Sequence, residues 1–188
     1  MPFRPRSRHA AEPLDEPALY EWAVRALGRR MRTVAELERM LRTKAAPGEE
    51  GQRKIASVLG RLREQRYLDD AAFAVTFTRL RQENEGFGRR RVERELARKG
   101  VDRDIIAHAA DAAYAETGEE ELARLYLARK HIAKPRNAKE TARVVRRLSA
   151  AGFSIATLSR ILKNWEVEFT EDDLAAPVPE DGTEHPDR

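Results

Sequence analysis

Residues 66–74, Arg-Tyr-Leu-Asp-Asp-Ala-Ala-Phe-Ala, place two carboxylates, Asp69 and Asp70, side by side between apolar neighbours. Adjacent carboxylates can ligate a divalent cation, do acid/base work, or open a helix. Ligation needs further carboxylates or a histidine, and nothing nearby in sequence supplies an obvious set. With Asp69 as N-cap, Asp70 becomes the first helical residue and Phe73 falls at the fourth position. Leu68, just ahead of the cap, can then pack on Phe73 as a hydrophobic staple. Asp69 would accept from an otherwise unpaired first-turn N–H, while Asp70 faces the positive end of the helix dipole. One mechanism accounts for Leu68, Asp69, Asp70 and Phe73 together, so the expected role of the pair is structural.

Other residues able to do chemistry are sparse. His9, His108, His131 and His185 are scattered without metal-ligand spacing, and there is no cysteine, hence no thiolate site and no disulfide framework. The segment Gly86–Gly88 is too short for a phosphate loop and follows no strand. No nucleophile–base pattern is found. Trp22, Tyr114, Tyr126 and Trp165 fall on helical stripes and read as core rather than as base-stacking platforms. Neither catalysis nor a cofactor nor a metal is expected.

The basic helix faces are more informative. Arg91, Arg94 and Arg98 form one stripe, with Arg89, Arg90 and Lys99 beside it; Lys139, Arg143, Arg146 and Arg147 form a second. Like charges one turn apart, as at Arg143 and Arg147, cost an isolated helix about 0.2–0.5 kcal/mol. Glu140 offsets part of this. An anionic partner would give such repulsion a purpose, whereas a plain solvated face is the ordinary alternative.

The elements that must carry these faces are helices. Charged residues make up 36% of the 188, well above the usual quarter. Up to Glu166 there are 35 Lys/Arg against 24 Asp/Glu; beyond it, one Arg faces eight acids. A basic body with an acidic tail suggests an anionic partner for the body. Residues 1–15 read as a disordered basic arm without the apolar segment of a secretory signal, and 168–188 as a disordered acidic tail. No apolar run approaches the ~20 residues of a membrane span, so a cytoplasmic protein is expected.

Apolar residues recur at spacings of three and four: Leu19, Ala23, Ala26, Leu27; Val34, Leu37, Leu41; Ile55, Val58, Leu59, Leu62. The pattern returns at Phe73, Phe77 and Leu80, then at Val92 and Leu96 before Gly100, then at Ile105, Ile106 and Ala109 behind a candidate cap at Asp102. A third round follows. Leu37, Val92 and Val144 correspond, as do Leu41, Leu96 and Leu148, and Gly100 with Gly152; the copies are offset by 55 and then 52 residues. An all-α chain of three tandem three-helix repeats follows, over 16–66, 67–116 and 117–167, forming an elongated, curved array. Such arrays present long surfaces and seldom an enclosed pocket.

Tyr67, Leu68, Asp69, Asp70, Phe73 and Ala74, then Gly86, Gly88, Val92, Leu96, Lys99, Gly100 and Val101, together resemble the motifs of the bacterial RecX regulatory proteins. The segment Ala150–Leu162 is similar to that family as well. The resemblance covers roughly residues 17–166 and is most specific in the second repeat. The first repeat departs from it, with a longer polar connection after Lys44 in place of the Lys-Gly turn. The resemblance implies three three-helix repeats, binding in the groove of the RecA filament on DNA, and inhibition of recombinase and coprotease activities bearing on DNA repair and the SOS response. The ten cations of the two stripes are then the candidate partner contacts, with Tyr67 to Phe73, Gly88 and Gly100 as structural positions. DNA, single- or double-stranded, is the second partner expected, no membrane is involved, and a monomer is expected. The rival reading is a helical repeat protein acting on DNA directly.

Overall fold

In the computed structural model, which describes residues 12–115 and 118–167, the chain is helical throughout and no strand occurs among the described residues. Nine α-helices follow one another there: α1 Glu16–Arg29, α2 Val34–Arg42, α3 Glu49–Glu64, α4 Asp70–Leu80, α5 Arg89–Arg98, α6 Arg103–Tyr114, α7 Glu119–Arg129, α8 Ala138–Ala150 and α9 Ile155–Asn164. A single wide π turn, Arg81–Glu85, extends α4 and closes on Gly86 at φ 69°. Glycine adopts this left-handed backbone without the Cβ penalty that other residues carry.

Several helix starts are written in side chains. Asp15 accepts from Ala18 N–H at 2.9 Å at the head of α1, Asn137 does the same from Glu140 N–H for α8, and Ser154 from Thr157 N–H for α9. Thr33 and Glu36 form a full capping box on α2. No helix among the described residues is long and apolar enough to cross a membrane.

Contacts divide the chain into two compact units, one running up to Phe77 and including Glu95–Ala109, the other comprising Thr78–Arg94 and the residues from Ala110 onward. The first is centred on α1, α2 and α3, which bury Leu19, Leu37, Leu41, Val58 and Leu62 to 2% exposure or less. Fully burying a leucine or valine stabilises by about 1.5–3 kcal/mol, so this cluster carries the unit. In the second, α9 packs on α7 and α8. Val145, Leu148, Leu158 and Leu162 are buried there, and Tyr126 meets the Phe153 ring edge-on at 5.7 Å. Residues 1–11 and the whole acidic tail expected over 168–188 lie outside the described residues. Within the expected arm, Leu14 donates its N–H to Lys44 O at 2.8 Å.

Two local readings change. The stripe expected at Phe73, Phe77 and Leu80 is rotated: Phe73, Ala74 and Thr78 are buried, Phe77 is half-buried, and Leu80 is 44% exposed. The residue at i+1 and i+5, small or polar, faces inward, which a search for large apolar side chains passes over. The connection after Lys44 is also shorter than its polar composition suggests. Residues 43–48 form it, because α3 begins at Glu49 rather than near Lys54. Gly48 turns at φ 89°, and Gly51 lies so close to Ala46 O that a Cβ would sit 1.8 Å away. Polar residues fill that first turn and hide its periodicity.

Candidate partner-binding surface

Gly88 opens α5, whose residues Val92 and Leu96 are fully buried one turn apart. Its other residues, Ala97 apart, are charged, and they are half-buried or exposed. Arg90, Arg94 and Arg98 are exposed there, and Arg94 Nε donates to Arg90 O at 3.2 Å. The remaining cations of the expected stripe have structural work. Arg89 binds Glu93 and Asp111, both at 2.6 Å, and the hydrogen bond to Glu93 foremost holds its guanidinium more firmly charged than usual. Arg91 lies 3.6 Å above the Phe87 ring and reaches Ala150 O at 3.4 Å. Lys99 binds Glu36 at 2.8 Å and sits 5.7 and 5.6 Å from the ring centres of Phe73 and Phe77. Burial pulls the Glu36 carboxyl up, but Lys99, together with the Thr33 N–H and Arg30, brings it below its ordinary range.

On α8 the inward face is Val144, Val145 and Leu148, so Lys139, Arg143 and Arg147 are left exposed and Arg146 half-buried. Glu140, expected to temper the α8 cations, spends its carboxylate on Arg136 N–H at 2.8 Å.

The aspartate pair is divided between two tasks. Asp69 caps α4, accepting from Ala72 N–H at 2.8 Å. Asp70 reaches outside its own helix and accepts from Val34 N–H at 2.9 Å, capping the first turn of α2. Burial raises its pKa, with Asp69 and Glu36 adding to the push and the Val34 N–H and Arg63 opposing it. Leu68 and Phe73 are both buried, whereas Tyr67 is 55% exposed. No group of three or more His, Cys, Asp or Glu that could hold a metal occurs among the described residues. His108 and His131 are exposed; His9 and His185 lie outside the described residues.

Glycines close the corresponding joints. Gly100, at φ 80°, meets Ala35 of α2, where a Cβ would approach to 2.4 Å, and Thr33 Oγ1 donates to Lys99 O at 2.6 Å beside it. Gly152, at φ 95°, meets Arg91 and Gly88 of α5 as closely, and Gly88 N–H donates to Ala151 O at 2.8 Å. In each joint the turn after one repeat's second helix receives the head of the preceding repeat's second helix.

Sequence reasoning missed a carboxylate that ties α7 to α9. Glu119 accepts from Ser154 N–H at 2.7 Å, from the Ser154 hydroxyl, and from the Thr157 hydroxyl at 2.6 Å. Burial pulls Glu119 up, but these hydrogen bonds, helped by the charge of Arg90, leave it below its ordinary range. The Ser154 cap on Thr157 N–H spans three residues, whereas its partner Glu119 lies 35 residues away, beyond the reach of local pattern. Tyr114, half-buried and pushed up by that burial, stays a donor to Phe87 O at 2.8 Å.

Residues 69–109 match the family model described as RecX, second three-helix domain. The Mycobacterium marinum protein named Regulatory protein RecX is 37% identical over 147 residues, which covers 77% of this chain and 82% of that one. Its namesake from Thermobifida fusca is 32% identical over 162 residues, covering 85% and 84% respectively. In fold, the chain is similar to a crystal structure of regulatory protein RecX with TM-score 0.62 at 23% identity, covering 79% of this chain and 71% of that one. The RecX structure from Lactobacillus salivarius gives 0.60 at 20%, covering 81% and 97%.

Proposed function

The chain belongs to the RecX family of regulatory proteins, and on that premise we propose that it binds the filament formed by the RecA recombinase on DNA. Bound there, it inhibits the ATPase, strand-exchange and coprotease activities of RecA and so modulates homologous recombination, DNA repair and the SOS response. The observation that carries this reading is the likeness along most of the length of relatives named as regulatory proteins. Its action is stoichiometric binding rather than catalysis, by a cytoplasmic monomer whose repeats run over 16–66, 67–116 and 117–167. The filament runs beside a polyanion, so a basic helical face suits it. Arg90, Arg94 and Arg98 on α5 and Lys139, Arg143 and Arg147 on α8, all exposed, make the contact. Arg89, Arg91 and Lys99 position the helices that present them.

Reversing Arg94 and Arg143 to Glu touches no buried apolar side chain, so folding survives. The double variant keeps its Tm within a few degrees and loses inhibition of RecA-dependent ATP hydrolysis, and does so more severely than reversal of Arg25 and Arg29 on α1. A stable double variant that inhibits like wild type removes these faces from the contact. The charge of the third repeat favours a second reading, direct binding to DNA. Tight, steeply salt-dependent binding to naked DNA with no effect on RecA filaments selects it.

A further inference from the structure

Three arginines of the first repeat share a cleft with a tryptophan. Trp22 of α1 and Met40 of α2, both half-buried, supply its apolar wall, and Arg30, Arg32 and Arg39 line it as well. The cleft holds about 370 Å³, at the small end of ligand sites and enough for one large side chain with its neighbours.

The connection between two helices brings these residues together. α1 ends at Arg29 and α2 begins at Val34, so Arg30 and Arg32 lie in the turn, while Arg39 and Met40 follow on α2. Arg32 is half-buried and its Nε donates to Ala26 O at 3.5 Å, which steadies a guanidinium that carries further donors. Arg30 and Arg39 are exposed. One acid, Glu36, lines the same cleft, but its carboxylate is engaged by Lys99 at 2.8 Å and by Thr33 N–H at 3.4 Å. Among the described residues, no carboxylate forms an ion pair with Arg30, Arg32 or Arg39.

We infer that this cleft docks a flexible acidic peptide that carries one large apolar side chain. That side chain fills the space against Trp22 and Met40, and the flanking carboxylates pair with Arg30, Arg32 and Arg39. Guanidinium forks match carboxylates in bidentate geometry, and tryptophan and arginine are among the side chains that anchor protein contacts most strongly. Methionine adapts to whichever apolar group is presented. A lone phosphate or carboxylate would use one or two of the arginines and leave Trp22 and Met40 idle. A nucleobase needs an open ring face, but Trp22 packs on the core of the first unit and Lys44 Nζ stands 5.9 Å over its ring. Base edges find no reader either, since the Thr43 hydroxyl donates to Met40 O at 2.8 Å and Glu36 is engaged. The inference goes beyond the filament reading, which rests on α5 and α8, and the recombinase takes no part in its test.

The test follows the anisotropy of a labelled peptide, Phe flanked on both sides by alternating Asp and Glu, titrated with the full chain at fixed salt. The peptide binds saturably. Ser in place of its Phe, or Asn and Gln in place of its acids, weakens binding about tenfold or more. The double variant Arg30→Gln, Arg39→Gln weakens it likewise. The control Arg25→Gln, Arg29→Gln removes as much charge outside the cleft and stays within about twofold of wild type. All four arginines are exposed, so both variants keep the wild-type Tm. In Trp165→Phe, where Trp22 is the sole tryptophan, saturation with the peptide shifts the emission. A peptide that does not bind wild type overturns the inference, as does a cleft variant that binds like wild type or an equal loss in the control. Equal binding of the peptide with Ser for Phe, or an emission that does not respond, overturns it too. Tighter, competitive binding of ATP or an oligothymidylate assigns the cleft to nucleotides and overturns it as well.

Discussion

At the residue scale, each aspartate of the opening pair does a different job, and neither is catalysis. Removing the Asp69 cap leaves the Ala72 N–H without its acceptor, so Asp69→Ala is expected to lower stability by about 0.5–2 kcal/mol in denaturant titration. Chelators should leave activity untouched; loss of activity at unchanged stability would contradict the capping role. Glu119 has a pH signature. Its folded-state pKa is below the ordinary carboxylate value, so its contribution is complete above that value and is lost as pH falls through the lower folded one. Glu119→Gln should therefore cost about 1–2 kcal/mol at neutral pH through weakened hydrogen bonds. Stability curves of variant and wild type should converge on acidification. A gap that stays constant down to low pH would mean that the charge of Glu119 is immaterial. Asp70, with its pKa raised, works with the opposite sign and favours the native state less as pH rises through its folded value.

At the element scale, glycine decides how closely helix ends approach. Gly152 turns at φ 95°, and a Cβ there would lie 2.4 Å from Arg91 N. Strained backbone and overpacking add, so Gly152→Ala should destabilise by about 3 kcal/mol or more. Gly60, inside α3, meets nothing within 4 Å of an added Cβ. There the lower backbone entropy of alanine dominates, and Gly60→Ala should stabilise by about 0.5–1 kcal/mol. Thermal unfolding of the two variants checks both signs; two shifts in the same direction would refute the packing account. The helix start at Asp69 was legible because a cap and the N–H it accepts from lie three residues apart. The start of α3 was not, since Gly48 to Gly51 enter it by close backbone approach rather than by a side-chain cap.

For the whole molecule, the charge imbalance is the main lever. Eight acids beyond Glu166 follow a body with an excess of eleven positive charges. An acidic tail that competes with DNA for that body predicts that deleting residues 170–188 raises affinity for naked DNA and leaves helix content almost unchanged. A circular-dichroism spectrum and a binding isotherm decide it. Unchanged affinity assigns the tail to solubility alone.

The sequence by itself determined what depends on short range. Apolar period points to the helices, spacing of apolar residues relates the repeats, and the motif from Tyr67 to Val101 points to the family. Only the tertiary structure decided which charges are available to a partner. Arg89, Arg91 and Lys99 look identical in sequence to Arg90, Arg94 and Arg98, yet carboxylates or rings brought close by folding engage the first three, with Asp111 22 positions from Arg89 and Glu36 63 from Lys99. Such partners are set by packing, because a salt bridge or a cap needs only proximity in space. For the same reason Asp70 could be read as a helix-dipole residue and still spend its carboxylate on α2.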